Sequence, residues 1–297
     1  MIITNVENLR DPFILVENDA YYMYGTNWKL YKNTSSSLDG IWVEVKKEIV
    51  VKPEDFIGDV MWAPEVYKYN NEYYMFTTYT SSKTNLRGCA TFKASSPEGP
   101  FKIVSNGHFT PTNWSSIDAS LYIDNNHQPW CVFVHEHCSP SIDDKIGRMA
   151  IAKLSYDLTS FISEPIEIFR ADDPKWTDLD ITDGCFMYET KNGKLLMIWS
   201  NYKSLYEYCV AVAESHNGKI DGKWSHYDEP IFSRELNDGI YDGGHGMIFT
   251  DRDGQKYMSL HSPNYIDDKI IDPKIARPTT AIIVKIKEEN DVLSLEL

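Results

Sequence analysis

The sequence predicts an all-β protein, a five-bladed β-propeller with four antiparallel strands per blade and residues 1–297 in a single domain. Two observations carry that expectation. The first is a phrase that recurs five times: a small or acidic lead residue, an apolar run, a polar turn and an aromatic-rich strand. The lead residues are Asp11, Ala63, Asp118, Asp183 and His245, in steps of 52, 55, 65 and 62 residues. Repetition of strand-turn-strand units at such a period marks a propeller or a related array. The second is the aromatic load of 19 Tyr, 12 Phe and 8 Trp, since rings pack well on pleated strand surfaces.

Each unit justifies its own strands. Unit one reads Asp11-Pro-Phe-Ile-Leu-Val and then Tyr21-Tyr-Met-Tyr24, with Leu30-Tyr31 and Ile41–Val45 following. Unit two has Ala63-Pro-Glu-Val-Tyr, the turn Asn70-Asn71, Tyr73–Phe76 and Gly88–Lys93. Unit three has Asp118-Ala-Ser-Leu-Tyr, Asn125-Asn126, Trp130–Phe133 and Arg148–Ala152. Unit four has Asp183-Gly-Cys-Phe-Met-Tyr, Asn192-Gly193, Leu195–Trp199 and Tyr208–Ala213. Unit five has His245-Gly-Met-Ile-Phe, Asp253-Gly254 and Tyr257–Leu260. Short alternating runs bounded by Gly, Asn, Asp or Ser are strand-and-turn chemistry, and Asn-Gly or Asp-Gly supplies the positive φ of a tight hairpin. The last strand, Thr280–Ile286, is expected to complete the fifth unit beside the first, which removes exposed sheet edges.

Composition narrows the partners. A net charge of −15 with no basic cluster argues against nucleic acid and anionic membranes. No run approaches the 18 or so apolar residues of a membrane helix. Five cysteines without CxxC spacing read as reduced, mostly buried thiols. No basic and then apolar signal segment precedes Asp11, so the expected location is cytoplasmic, or secreted if such a segment has been trimmed. The oligomeric state is open.

A propeller gathers equivalent positions around its axis, so Asp11, Asp118 and Asp183 are expected to face one another across a central pit. Carboxylates brought together resist ionising at once, and their pKa values split into acid and base roles. Hydrolysis of a glycosidic bond asks for that division, with the two groups roughly 6.5–9.5 Å apart for inversion. Glu136, in Phe133-Val-His-Glu-His137, ends the second strand of unit three and returns to the face where Asp118 begins, a rival carboxylate. His135 and His137 alternate with it and point the other way. Trp62 directly precedes Ala63 and is placed to stack on a sugar. Glu65 is a further carboxylate near the pit, and Trp28 a further ring near the rim.

Asp11-Pro12, Trp62-Ala-Pro-Glu65, Ile117-Asp118-Ala-Ser, Thr182-Asp183-Gly184 and Gly243-Gly-His245-Gly, in this order and at blade spacing, resemble glycoside hydrolase family 43. The resemblance runs from Leu9 to about Val284. It implies a five-bladed propeller acting by inversion on a small oligosaccharide of plant polysaccharide and releasing a pentose, xylose or arabinose. Asp11 would be the general base and Asp118 the group that tunes the proton donor. The family's donor is a Glu at the position of Asp183, one methylene longer, so the donor here is Asp183 or Glu136. Arg277, before Pro278, resembles an arginine that reaches a substrate hydroxyl. The resemblance also implies a structural calcium near the axis, with His245 contributing to a largely hydrated shell; no cofactor is required for the chemistry. Alternatives are a carbohydrate-binding propeller with impaired catalysis, an invertase-like hydrolase and a glycoside phosphorylase.

Overall fold

In the computed structural model, which describes residues 1–204, 207–237, 239–264 and 277–297, each apolar run behind a lead residue is an inner strand. Each aromatic run is the strand beside it. Strand β1 (Ile2–Glu7) opens the chain. Blade one is β2 (Phe13–Val16), β3 (Tyr21–Gly25), β4 (Lys29–Asn33) and β5 (Val43–Glu44). Blade two is β6 (Phe56–Tyr69), β7 (Glu72–Ser81), β8 (Arg87–Ala94) and β9 (Lys102–Ile103). Blade three is β10 (Ser116–Ile123), β11 (Pro129–His135), β12 (Arg148–Lys153) and β13 (Ile166–Arg170). Blade four is β14 (Asp183–Glu189), β15 (Leu195–Ser204), β16 (Glu207–Ser215) and β17 (Trp224–His226). Blade five starts with β18 (Gly244–Thr250), β19 (Lys256–Ser262) and β20 (Thr280–Glu289), and β21 (Val292–Glu296) folds back on β20. The described residues contain no α-helix.

The ring closes differently from the sequence expectation. Strand β20 is the third strand of blade five, and its outer neighbour is β1, with Ile2 opposite Ile283 and Ile3 opposite Ile282. The two ends of the chain therefore share one sheet. The inner strands pack in cyclic order, β2 on β6, β6 on β10, β10 on β14, β14 on β18, and β18 back on β2. Five inner strands thus surround one axis, and all five lead residues lie at the same end of it.

The turns follow the backbone chemistry read from sequence, with one exception. Asn70 and Asn71 both take positive φ, 49° and 62°, and join Tyr69 to Glu72 as a two-residue hairpin. In blade three the left-handed residue is His127 (φ 60°), not either asparagine. Asp124 organises that turn, its carboxylate accepting the N–H of Asn126 at 2.9 Å and of Gln128 at 3.0 Å.

Most of the aromatic load is core. Tyr24, Phe76, Phe133 and Trp199 are fully buried between blades, and Trp199 packs on Phe169 at 5.2 Å. Burial of each such ring contributes roughly 1.5–3 kcal/mol. Cys89, Cys131, Cys185 and Cys209 are buried free thiols, and Cys138 is exposed.

Candidate active site

Each inner strand enters through a residue in the left-handed region: Asp11 (φ 56°), Ala63 (43°), Asp118 (57°), Gly184 (45°) and His245 (56°). In blades two to five a break in strand register brackets it, between Trp62 and Glu65, Ile117 and Ser120, Asp183 and Phe186, and Gly244 and Met247. The equivalent of Asp11 and Asp118 in blade four is therefore Gly184, not Asp183. Asp183 belongs one position earlier, with Arg10, Trp62, Ile117 and Gly244. The reason is conformational: glycine enters the left-handed region at no steric cost, whereas other residues strain to do so. Two rings of side chains result, and Asp183 stands in the outer one.

The N–H groups at these strand entrances are satisfied from the preceding blade. Thr26 Oγ1 accepts the N–H of Ala63 (3.0 Å), Thr78 Oγ1 that of Asp118 (3.0 Å) and Ser200 Oγ that of His245 (2.8 Å). His261 Nδ1 accepts that of Asp11 at 3.2 Å. Register places Val134 at the corresponding site of blade three, opposite Ile117 as Thr78 is opposite Trp62. Valine has no acceptor. The N–H of Gly184 turns to the carboxylate of Asp118, Oδ2, at 2.9 Å. A buried donor needs a partner, and here that need fixes an acidic side chain.

A well of about 260 Å³ opens over these residues, lined by Arg10, Asp11, Trp62, Arg87, Ile117, Asp118, Asp183, Tyr208 and His245. His245 Nδ1 lies between two carboxylates, 3.4 Å from Asp11 Oδ1 and 3.9 Å from Asp118 Oδ2. Asp11 and Asp118 are buried, while Asp183 is half-buried and Tyr208 offers it a hydroxyl at 3.3 Å.

The electrostatics separate the three acids. Burial opposes charge on Asp11, but His245 first, then Arg10 and the hydroxyl bond from Thr26, hold it below the usual carboxylate range. Burial raises Asp183 well above that range, reinforced by Asp118, Glu136 and Asp11, with Arg10 only partly opposing. Asp118 is raised by burial too, against His245 and the Gly184 N–H. Neighbouring buried acids cannot all ionise at once, and of the three Asp183 is pushed furthest up. Burial lowers His261 to about 3, so it is neutral, and its bond from the Asp11 N–H assigns the proton to Nε2, which faces Asn264 Oδ1 at 3.1 Å.

The structure thus brings Asp11, Asp118, Asp183, Trp62 and His245 together. Glu136, Glu65 and Arg277 do not line the well. Glu136 is bound by Arg87, at 2.8 Å from Nε and 2.7 Å from Nη2, and accepts Ser115 Oγ at 2.5 Å. Glu65 lies buried beneath, accepting the hydroxyl of Tyr67. Arg277 donates to Ser262 Oγ at 3.2 Å and lies over the Tyr241 ring at 4.5 Å. Trp28 packs edge-on against Phe56 at 5.6 Å. His135 stacks on Trp114 at 3.7 Å and bonds Glu167 at 2.7 Å, on the side away from Glu136.

Sequence reasoning missed Arg10, Arg87, Tyr208 and His261. Arg10 had a usable signal, since it directly precedes Asp11 as Trp62 precedes Ala63. Arg87, Tyr208 and His261 come from second and third strands, which carry no comparable mark. Arg87 lies over the Trp62 ring at 5.8 Å and so shapes one wall.

Calcium takes about six to eight oxygen ligands, and His245 presents one imidazole. Among the described residues no three His, Cys, Asp or Glu side chains form a metal-holding group. An ion at this place would take one imidazole from His245 and the rest of its shell from water.

The chain is a five-bladed propeller with three carboxylates gathered in one axial well. Residues 4–289 match the family described as glycosyl hydrolases family 43, and the chain belongs to that family. An endo-arabinase from Bacteroides thetaiotaomicron is 30% identical, with a TM-score of 0.81 and 98% of each chain covered. An endo-1,4-β-xylanase from the same organism shares the fold at 24% identity and a TM-score of 0.76, over 100% of this chain and 97% of that one. An extracellular exo-α-(1→5)-L-arabinofuranosidase of Streptomyces avermitilis is 22% identical over 287 residues, 90% of this chain. This chain spans 58% of the length of that curated relative.

Proposed function

We propose that the protein is an inverting glycoside hydrolase that releases a terminal pentose, arabinose or xylose, from oligosaccharides of plant polysaccharide. The observation that carries this reading is the gathering of Asp11, Asp118 and Asp183 in one well, where their surroundings push Asp11 below and Asp183 above the usual carboxylate range. Asp11, deep and ionised, takes the proton of the attacking water. Asp183, nearer the mouth, donates its proton to the glycosidic oxygen, on the side where the leaving group departs. Asp118 keeps that proton on Asp183 by like-charge repulsion. Trp62 supplies a ring for the sugar face. The arabinose- and xylose-based names of the relatives support a pentose.

Glu136 is the weaker donor. Both of its oxygens are engaged, by two bonds from a guanidinium and one from a hydroxyl, and it does not line the well.

The test uses 4-nitrophenyl α-L-arabinofuranoside and β-D-xyloside, with proton NMR of the first-formed sugar. Turnover with inverted configuration, lowered about 10²–10⁴-fold in Asp11→Asn, is expected. Retained configuration, or full activity in Asp11→Asn, refutes the assignment. Turnover that requires phosphate identifies a phosphorylase instead.

A further inference from the structure

We propose a second carbohydrate-binding site, for a neutral polysaccharide chain, in the cleft between blades three and four at the end of the ring opposite the well. The ligand chemistry rests on the pentose-polymer reading above. The cleft holds about 500 Å³, against about 260 Å³ for the well. It lies past the far end of β10, six residues beyond Asp118 and so about 20 Å from it at strand rise.

Its chemistry is that of a sugar platform. Trp130 forms the floor, 5% exposed, with its indole N–H given to Asp124 at 3.0 Å and the Lys153 ammonium 5.3 Å from its ring centre. Tyr122 and Tyr156 stand on the walls, and Tyr156 is 61% exposed. In a chain of net charge −15 the lining charges cancel, Asp124 and Asp221 against Lys153 and Lys219. A cleft so balanced favours a neutral ligand over an ionic one.

The free polar groups point the same way. Among the described residues, the hydroxyls of Tyr122 and Tyr156 and the side-chain amides of Asn125 and Asn126 make no hydrogen bond. Neither asparagine is demanded by its turn, whose left-handed residue is His127. Two amides and the Tyr122 phenol beside the exposed ring of Tyr156 match the alternating hydroxyls and C–H faces of a pyranose or furanose. Such a site would tether the enzyme to polymer while the well works on chain ends.

The experiment is native affinity electrophoresis of full-length Asp11→Asn protein, which leaves the polymer intact, in gels of linear arabinan or of xylan. Adding Tyr156→Ala is expected to weaken retention about tenfold in apparent Kd, the scale of one aromatic stack, with Tyr156→Phe retaining most of it. In the otherwise native chain, Tyr156→Ala should leave kcat/KM on the aryl pentosides unchanged. Retention by neither polymer, or retention unaltered in both Tyr156→Ala and the Asn125→Ala/Asn126→Ala double variant, overturns the site. Loss of retention in Tyr156→Ala together with no turnover by the native chain supports the site and refutes the hydrolase reading instead.

Discussion

Replacing Glu65 with Gln should stabilise the fold at neutral pH while leaving its packing in place. Glu65 is 5% exposed and accepts the Tyr67 hydroxyl, whose oxygen also lies 3.1 Å from Ser120 Oγ. Burial pushes its carboxyl from 4.5 to about 8, Asp118 adding to the rise and the two hydroxyl bonds opposing it. The folded chain therefore keeps a proton that the unfolded chain sheds above its ordinary value. The stabilising contribution is complete below pH 4.5, falls as pH rises, and is gone above about 8. At pH 7 the gap is 2.5 pH units from the ordinary 4.5, and at ~1.4 kcal/mol per unit it amounts to about 3 kcal/mol. Glutamine keeps an acceptor for Tyr67 and has no proton to lose. At about 2 °C per kcal/mol for a chain of this size, Glu65→Gln should gain about 6 °C at pH 7 and little at pH 4.5. Thermal and urea denaturation of both proteins at pH 4.5, 6, 7 and 8.5 measure this, and the difference cancels the other acids that titrate in the same window. Parallel pH curves for the two proteins would show that Glu65 is ionised in the fold and that the reasoning is wrong.

Asp183→Asn is expected to lower kcat about 10²–10⁴-fold on oligosaccharides, whose leaving group must be protonated, and far less on aryl glycosides, whose leaving group needs little help; a uniform loss on both, or none, would remove Asp183 from the donor role. The pH–rate profile should lose its acid limb below the usual carboxylate range, where Asp11 takes up a proton, and its alkaline limb where the raised Asp183 gives its proton up; in Asp183→Asn the alkaline limb should vanish, whereas Glu136→Gln should keep it. Val134→Thr should offer the Gly184 N–H a hydroxyl, free Asp118 from its anchor and cost about tenfold in kcat with a displaced alkaline limb, the scale of one charge-assisted hydrogen bond; full activity and an unmoved profile in the folded variant would show that Asp118 needs no such anchor.

The blade count, the first two strands of each blade and the meeting of Asp11, Asp118 and His245 were legible because each depends on local chemistry: a turn, an apolar run, a small or acidic residue at a strand entrance. What escaped depends on distant pairing. Strand β1 carries no turn signal, and its partner β20 lies at the other end of the chain. Arg87 reaches the well only because Glu136, 49 residues away, holds its guanidinium beside Trp62. His261 looks like the tail of an aromatic strand until ring closure sets it against the N–H of Asp11. The placement of Asp183 was off by one residue for a different reason. Asp183-Gly184 reads like Asp118-Ala119, and only the backbone reveals that φ turns positive at the glycine.

That single-residue offset bears on the chemistry. Five equal blades would place five equal side chains around an axis, and equal acids at equal depth carry no built-in division between donor and acceptor. This ring departs from equivalence at His245 and at three further positions that set the acids apart. Ala63 removes a carboxylate from blade two, and its strained φ of 43° is held by the bond from its N–H to Thr26. Gly184 moves the acid of blade four one step outward, into the ring of Arg10 and Trp62, where solvent is nearer. Val134 withholds an acceptor, so the backbone of blade four clamps the carboxylate of blade three instead. The Asp that stands where a longer Glu is expected is thereby the least buried of the three acids. An added methylene in Asp183→Glu would push its carboxyl further toward the mouth, past the hydroxyl of Tyr208 that now faces it at 3.3 Å. If Asp183 is the donor, Asp183→Glu should therefore lower kcat on oligosaccharides, and a variant as active as the native chain would show that the length of this side chain is not critical.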